Sequence, residues 1–330
     1  MGIHCDINLR KPTNGNFVTG GTVSGAARYA LDEETVYTKI SISINGRGYL
    51  EVLNGRKKGE ADGLIKDEEK YLKEEIIILD DNNGQGLPID TYDTQFNFQL
   101  PLDIPPTTDF VKTSGSYTVR CKIIYYIEFK FECPDGCQLF SSTISVIPGV
   151  NPKISAEPRI YDKQRKLIQL LRDSFVTLKA TINNPVVTSC NKADLEYEIF
   201  NDTNVNFKCV ESKLVEVTSL PKGYINSTFD YELVADINTT GLRSGETQTI
   251  DVDIPIPRDV HSIEYSQLIA RDYFVKITVY LPLPYRNVTL KVPLQIAGAS
   301  KEHIMNEDEE LITHWKAMNE DGIQLDIHDS

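Results

Sequence analysis

The segment TIDVDIPIPRDVHS, residues 249–262, decides the fold of this chain because it shows how one of its strands ends. Apolar and polar residues alternate over residues 250–254, which is the period of a half-buried β-strand. Proline follows at Pro255 and Pro257, and proline cannot donate a hydrogen bond to a sheet ladder. The segment therefore reads as a strand with a proline-bearing exit.

A similar exit occurs near residue 100, in QFNFQLPLDIPP (95–106). Each exit leads through a polar connection to a long aromatic-rich strand, SYTVRCKIIYYIEF (116–129) in the first case and YFVKITVYLPL (273–283) in the second. The openings also correspond in sequence, because GGTVSGAARYAL (20–31) precedes one alternating strand and DSFVTLKATINN (173–184) precedes another. An all-β chain of two tandem antiparallel sandwiches is the economical explanation of this repeat.

The length of 330 residues also favours two domains. We expect the boundary in VIPGVNPKISAEP (146–158), which gives an N-terminal sandwich at 1–150 and a C-terminal sandwich at 151–299. Residues 300–330 form an acidic tail. It contains NEDEELITHWKAM (306–318), whose apolar residues suit one helical face, so a helical or disordered tail is expected.

The net charge of −14 argues against nucleic-acid binding. No apolar run approaches the roughly 18 to 20 residues that span a bilayer, and no hydrophobic stretch of signal-peptide length opens the chain. A cytosolic protein is the expectation, with membrane contact limited to local basic patches.

Six cysteines are spread along the chain, and only CPDGC (133–137) holds a close pair. Pro-Asp-Gly between two strand-like runs favours reduced thiols that flank a hairpin. A disulfide or a metal site is the alternative, although no second pair lies at zinc-ligand spacing.

The sequence also gives no sign of an enzyme. None of the five histidines lies in a metal-binding or nucleophile motif, and no glycine-rich phosphate loop joins a strand to a helix. We expect no catalytic residues, no metal and no cofactor.

The order of these features resembles the arrestin family, in its α-arrestin (arrestin domain-containing) branch, over about residues 4–298. The similarity is carried by GGTVSGAARYAL, by FNFQLPLDIPP, by VDIPIPRDVHS and by the closing NVTLKVPLQIAG (287–298). It implies two arrestin-like, immunoglobulin-like β-sandwiches in tandem.

The resemblance implies a cytosolic adaptor that binds cytosolic segments of membrane receptors or transporters. Such an adaptor couples them to endocytosis, ubiquitination or signalling through clathrin adaptors or ubiquitin ligases, after recruitment to the plasma membrane or endosomes. α-Arrestins commonly carry Pro-Pro-x-Tyr motifs in a long tail. Here the only Pro-Pro pair is Pro105–Pro106, followed by two threonines, so that motif is not present.

Three groups of residues are candidates for binding. The resemblance implies that Arg10 and Lys11 contact cargo phosphate, for which charge-assisted hydrogen bonds suit them; a solvated strand end is the alternative. Arg56, Lys57 and Lys58 form the densest basic run and are candidates for anionic lipid or partner contact, at roughly 1 kcal/mol for each charge, or for a plain soluble loop. A further basic cluster lies at Lys163, Arg165 and Lys166.

The tail carries a pattern like an acidic dileucine sorting motif, formed by Glu307, Leu311 and Ile312. In the alternative interpretation the two apolar residues and Trp315 pack on the protein's own surface.

Two other functions remain open. A structural coat subunit of retromer type predicts a stable stoichiometric partner. A lipid-binding or small-molecule-binding β-sandwich module predicts an internal apolar cavity of roughly 300 Å³ or more.

Overall fold

The computed structural model describes residues 3–54, 65–80, 86–114, 117–149, 157–168, 173–220, 228–238, 241–258 and 260–298. Over these ranges the chain forms β-strands and no helix, which confirms the predicted all-β class. Accordingly, no helix of membrane-spanning length and apolarity was found in the described ranges.

The first sandwich packs a three-stranded sheet, in the order β1-β3-β8, on a six-stranded sheet in the order β2-β11-β10-β5-β6, where β9 also pairs with β10. A short pair, β4-β7, stands apart. The strands are β1 (Ile3–Leu9), β2 (Asn16–Val18), β3 (Thr22–Leu31), β4 (Thr35–Val36), β5 (Lys39–Asn54), β6 (Ile65–Asp80), β7 (Gly86–Leu87), β8 (Thr91–Gln99), β9 (Thr108–Ser114), β10 (Tyr117–Cys133) and β11 (Gly136–Ile147).

The second sandwich packs sheet β12-β13-β15-β18 on sheet β14-β20-β19-β16-β17. Its strands are β12 (Arg159–Ile168), β13 (Asp173–Ile182), β14 (Val186–Thr188), β15 (Lys192–Asn201), β16 (Cys209–Ser219), β17 (Thr228–Asn238), β18 (Thr247–Pro255), β19 (Ala270–Tyr280) and β20 (Val288–Ala297).

Alternation of buried and exposed residues gives each sandwich its core. In β15 every second residue is buried along the whole strand, and β10 buries its odd-numbered residues from Tyr117 to Phe131. Two separate apolar clusters result. The first cluster, however, also takes up five residues of the second half, namely Leu220, Phe229, Ile263, Leu268 and Ile269. Residues 150–156 of the predicted boundary lie outside the described residues, so the exact division of the chain stays a prediction.

The repeat predicted from the two proline exits reappears as a shared backbone frame. Each half has a short strand parallel to its last strand, β2 with β11 and β14 with β20. A tight turn follows each short strand, closed by Gly21 N–H to the Val18 carbonyl (2.9 Å) and by Asn191 N–H to the Thr188 carbonyl (3.2 Å). Both turns place one residue at positive φ, which is Gly20 (77°) in the first half and Cys190 (65°) in the second.

The shared turn explains why prolines follow these two strands. Leu100, just before Pro101, donates its N–H to the Gly21 carbonyl (2.8 Å). Ile256, just before Pro257, donates its N–H to Asn191 in the same way (2.8 Å). The strand therefore leaves its ladder to close the turn of the same half, and the prolines mark the point after which no further ladder bond is required.

One detail of the repeat predicted from sequence is wrong. The turn and sheet order match β3 with β15, because each follows its turn and lies between two strands of the smaller sheet. The similarity in sequence instead matches β3 with β13, one strand too early. Both β13 and β15 alternate in the same way, so periodicity alone does not fix the register of a repeat.

The predicted hairpin at CPDGC is confirmed, since β10 ends at Cys133 and β11 begins at Gly136. Both cysteines are free thiols. Cys137 is paired with Glu132, whereas Cys133 is paired with Gly136. Paired residues share a face and successive residues alternate, so the two thiols lie on opposite faces of the hairpin and the disulfide alternative does not fit.

Candidate binding surfaces and the contact between the sandwiches

Arg10 and Lys11 lie just beyond the end of β1, and both side chains are exposed. β1 is the outer strand of its sheet, with only β3 as a partner among the described strands. Its apolar residues Ile7 and Leu9 pack on the first core, and the Arg10 N–H continues the ladder to the Ser24 carbonyl (2.9 Å). The alternation that buries Ile7 and Leu9 thus turns Arg10 to the outer face.

The surroundings of Arg10 are neutral. Its neighbour on β3 is Ser24, and the residue paired with Ser24 on β8 is Asn97. No ion pair to Arg10 or Lys11 occurs within the described part of the chain. The two cations are therefore available to an external anion, and a free edge next to them offers backbone groups to an extended peptide.

The third basic cluster lies in a strand near the predicted boundary between the sandwiches. Lys163, Arg165 and Lys166 all lie in β12, the outer strand of its sheet. Arg165 donates a hydrogen bond to the Asn287 carbonyl (3.0 Å), which ties β12 to the chain just before β20.

Two predicted sites fall elsewhere. Arg56, Lys57 and Lys58 lie between β5 and β6, outside the described residues. Glu307, Leu311 and Ile312 lie in the tail, also outside them. Both assignments stay predictions.

Sequence reasoning missed a charged cluster where the two sandwiches meet. Glu216 of β16 is 4% exposed and forms ion pairs with Lys112 of β9 and with Arg271 of β19, the latter at 3.5 Å. The Thr218 hydroxyl (2.9 Å) and the Tyr273 hydroxyl (3.3 Å) also donate to the Glu216 carboxylate. Because Lys112 belongs to the first sandwich and Glu216 to the second, the pair crosses the contact between them.

Aromatic rings enclose the cations of this cluster. Lys112 lies 4.1 Å from the centroid of the Tyr231 ring, and Arg271 lies 4.7 Å from the centroid of the Phe110 ring. Such faces stabilise desolvated cations. Burial alone raises the pKa of Glu216, but Arg271 and Lys112 outweigh it and hold that pKa below its ordinary value. Burial lowers the pKa of Lys112, although Glu216 opposes the change.

A second contact joins the segment after the proline exit to the first sandwich. The Glu69 carboxylate accepts the Gln267 N–H (2.8 Å) and the Ser266 hydroxyl (3.3 Å). Tyr71 and Ser266 share a further hydrogen bond of 2.7 Å, and Leu268 is buried in the first core. Residues 266–268, which follow the proline exit of the second sandwich, therefore fasten that sandwich to the first.

A surface cavity of about 430 Å³ crosses four strands of the first sandwich, at β6, β5, β10 and β9. Charged side chains that pair with one another line much of it, including Lys66 and Arg120, both bound to Glu51 at 3.3 and 3.2 Å. This charged trough differs from the internal apolar cavity that a lipid-binding module predicts.

No group of three or more potential metal ligands occurs among the residues that the structure describes.

A known protein family matches the second half of the chain. Residues 172–301 match the family model described as "Arrestin (or S-antigen), C-terminal domain", a span that begins next to β13 and covers the remaining strands. No curated protein matches the chain. The second sandwich is thus similar to the C-terminal domain of arrestins, and this match supports a place for the chain in the arrestin family.

Proposed function

We propose that this protein is an arrestin-like cytosolic adaptor that binds cytoplasmic segments of membrane receptors or transporters. It couples them to endocytosis, ubiquitination or signalling. The observation that carries the proposal is the exposed Arg10–Lys11 pair at the end of a free edge strand, on a body whose second half is similar to an arrestin domain.

The pair suits a phosphorylated segment. Arg10 presents a planar guanidinium and Lys11 a compact ammonium, and both donate charge-assisted hydrogen bonds to phosphate. The free edge of β1 adds main-chain hydrogen bonds to an extended peptide. Affinity then comes from the edge, and preference for phosphate comes from the two cations.

The branch and the later partners rest on the sequence resemblance. We assign the chain to the α-arrestin branch, with clathrin adaptors as partners through Glu307, Leu311 and Ile312. Membrane recruitment, to the plasma membrane or endosomes, uses Arg56, Lys57 and Lys58. A ubiquitin ligase would have to be recruited without a Pro-Pro-x-Tyr motif.

Binding of one peptide with and without phosphate tests the proposal. Replacing Arg10 and Lys11 by Ala should weaken binding of the phosphorylated peptide about tenfold or more, since a hydrogen bond to a charged group contributes roughly 1.5–3 kcal/mol. Binding of the unphosphorylated peptide should change little. The difference should shrink in high salt, because exposed charges are screened beyond about 8–10 Å.

A variant with Lys179→Ala and Lys208→Ala is the matched control, because both residues are exposed cations of the second sandwich. Equal weakening of both peptides by the Arg10 and Lys11 changes would leave the pair no role in phosphate recognition. Stable co-purification of one stoichiometric partner from cells would instead favour the coat subunit.

A further inference from the structure

A closed loop of the second sandwich carries residues that contact the first sandwich. Ile263 and Arg271 form a backbone bridge, in which each residue donates its N–H to the carbonyl of the other at 3.0 and 3.1 Å. The bridge closes a loop of residues 264–270, which leads into β19. Leu268 and Ile269 are buried in the first core. The base of the loop therefore belongs to one sandwich, while its later part is fixed in the other.

The tip of this loop is exposed, and its backbone is constrained. Tyr265 is 42% exposed and has a φ of 60°, a conformation that residues with a side chain rarely adopt. Gln267 is also exposed, and Ser266 between them is half-buried. Because such a backbone persists only when its surroundings hold it, contacts with the first sandwich keep the tip in place.

The hydroxyl of Ser266 lies at the centre of these contacts. It is 2.7 Å from the Tyr71 hydroxyl and 3.3 Å from the Glu69 carboxylate, and it accepts the Leu268 N–H at 3.1 Å. The Glu69 carboxylate also accepts the N–H groups of Gln267 (2.8 Å) and Leu268 (3.3 Å). We call this hydrogen-bonded group the loop contact; its members are Glu69, Tyr71, Ser266, Gln267 and Leu268.

The loop contact has neither space nor positive charge for a phosphoryl group. A Cβ added at Gly48 would lie 2.5 Å from the Tyr71 hydroxyl and 2.9 Å from Leu268 Cδ1, so atoms pack closely around that hydroxyl. Glu69 takes part in no ion pair within the part of the chain that the structure describes. A phosphoryl group on Ser266 would carry a charge of about −1.5 to −2 at pH 7 and would repel the Glu69 carboxylate.

We propose that Ser266 is a phosphorylation site, and that its phosphorylation releases the loop of residues 264–270 from the first sandwich. The enzyme is a serine/threonine protein kinase, and the phosphoryl donor is a nucleoside triphosphate. Ser266 Oγ forms a bond to the γ-phosphorus, and the bond from that phosphorus to the bridging oxygen breaks. The nucleoside diphosphate leaves, and the hydroxyl proton passes to a base of the kinase. An exposed and irregular loop tip suits such an enzyme, because it offers an accessible segment of chain.

The release changes the contact between the sandwiches. Like charges separate Ser266 from Glu69, and the loop withdraws Leu268 from the first core. The ion pair of Lys112 and Glu216 still crosses the contact, so the sandwiches are loosened rather than parted. This effect is independent of the adaptor proposal, since it requires no cargo.

Hydrogen exchange of the full-length protein with phosphoserine in place of Ser266 tests the release. Peptides that cover residues 264–270 should exchange about tenfold or more faster than in the unmodified protein, because the N–H groups of Gln267 and Leu268 lose their charged acceptor. Peptides from β15 should exchange at the same rate in both proteins. Phosphoserine in place of the exposed Ser244 is the matched control, and it should leave exchange of the loop unchanged.

Two variants separate the added charge from the loss of the hydroxyl. Ser266→Ala removes the hydrogen bonds of the hydroxyl and adds no charge, so it should raise exchange of the loop less than phosphoserine does. Glu69→Gln removes the opposing charge, and the effect of phosphoserine should therefore be smaller in that background. Unfolding midpoints verify that each protein is folded.

Mass spectrometry of the protein from its own cells, treated with phosphatase inhibitors, tests whether the site is used. Trypsin releases residues 259–271 as one peptide, and its fragment masses distinguish phosphate on Ser266 from phosphate on Ser262 or Tyr265. We expect phosphate on Ser266. A peptide without phosphate at that position would overturn the assignment.

The release itself has a separate criterion. Loop exchange in the phosphoserine protein that is no faster than in Ser266→Ala would overturn it, because the charge would then have no effect. Phosphopeptide affinity at Arg10 and Lys11 is measured independently and decides the adaptor proposal.

Discussion

Glu216 joins the two sandwiches through a carboxylate that is almost entirely buried. Removing it leaves the buried Arg271 and the partly buried Lys112 without their common partner, and an uncompensated buried charge is costly. We expect Glu216→Ala to lower the free energy of unfolding by roughly 3–5 kcal/mol, measured by denaturant titration. Glu232→Ala is the control, because Glu232 is half exposed and pairs with Lys213 on the surface, and its loss should cost about 0–1 kcal/mol. Equal effects of the two changes would contradict this account.

The same carboxylate makes stability depend on pH. The pKa of Glu216 in the folded protein is held below its ordinary value of 4.5. Its contribution to stability is therefore complete above that value and is lost as pH falls through the lowered pKa. The free energy of unfolding should fall with acidity below about pH 4.5, and the slope should be smaller in Glu216→Gln. Parallel pH profiles for the two proteins would exclude Glu216 as a source of this dependence.

Gly20 gives a third prediction for a single residue. Its φ is 77°, and a Cβ there would lie 2.4 Å from Leu102 Cδ2. Gly20→Ala should therefore cost about 1–2 kcal/mol from the left-handed backbone, with an addition from the contact. Gly241 has open space around its Cα, so Gly241→Ala is the control and should have little effect. A smaller loss at Gly20 than at Gly241 would contradict the turn frame.

At this scale the sequence indicated some residues and not others. Arg10 and Lys11 are a prediction from the family resemblance, and the structure places both exposed beyond the end of β1. Glu216 could not, because it is one of 48 acidic residues and its partners Lys112 and Arg271 lie far from it along the chain. The one available signal is alternation in SKLVEVTS (212–219), which puts Glu216 on the buried face with Leu214 and Thr218.

Among whole elements, the alternating strands were predictable and the charged ones were not. β8, β10, β15 and β20 follow apolar periodicity and appear where the sequence places them. The sequence does not predict β6, because nine of its sixteen residues are charged and they follow no strand period. Pairing with β5 along almost its full length overrides the poor β-propensity of its charged residues. The charged residues of β12 hide its strand character in the same way.

The cysteine hairpin gives a prediction at the scale of the element. Because Cys133 and Cys137 lie on opposite faces, mild oxidation of the folded protein should form no bridge between them. Mass spectrometry of peptides from the oxidised protein measures this. A Cys133–Cys137 bridge in folded protein would contradict the hairpin register, and the same treatment of unfolded protein provides the comparison.

For the whole molecule, the first core is incomplete without the second half. Leu268 is 2% exposed and packs in the first cluster. Leu268→Ala should lower the free energy of unfolding by about 2–5 kcal/mol. Leu283→Ala is the control, since Leu283 is 89% exposed and its change should stay within about 0.5 kcal/mol. Independent unfolding of the first sandwich, unaffected by Leu268→Ala, would show that the halves are not coupled.

The sequence does not predict that the first core includes residues of the second half. The repeat predicted two self-contained sandwiches, and strand periodicity says nothing of which core a connecting segment joins. Residues 263–269 carry several apolar side chains without a regular period, so they looked like an ordinary connection after a proline exit.

Because the first core includes residues of the second half, it can be completed only late in the synthesis of the chain. β11, the last strand of the first sandwich, ends at Ile147, yet Leu268 and Ile269 emerge from the ribosome about 120 residues later. At roughly 5–20 residues per second, that interval is about 6–24 s. Throughout it the nascent first sandwich exposes the apolar surface that these residues later cover. The newly made chain is therefore open to chaperones for about a third of its translation, and a premature stop before residue 263 releases a product that lacks part of its own core.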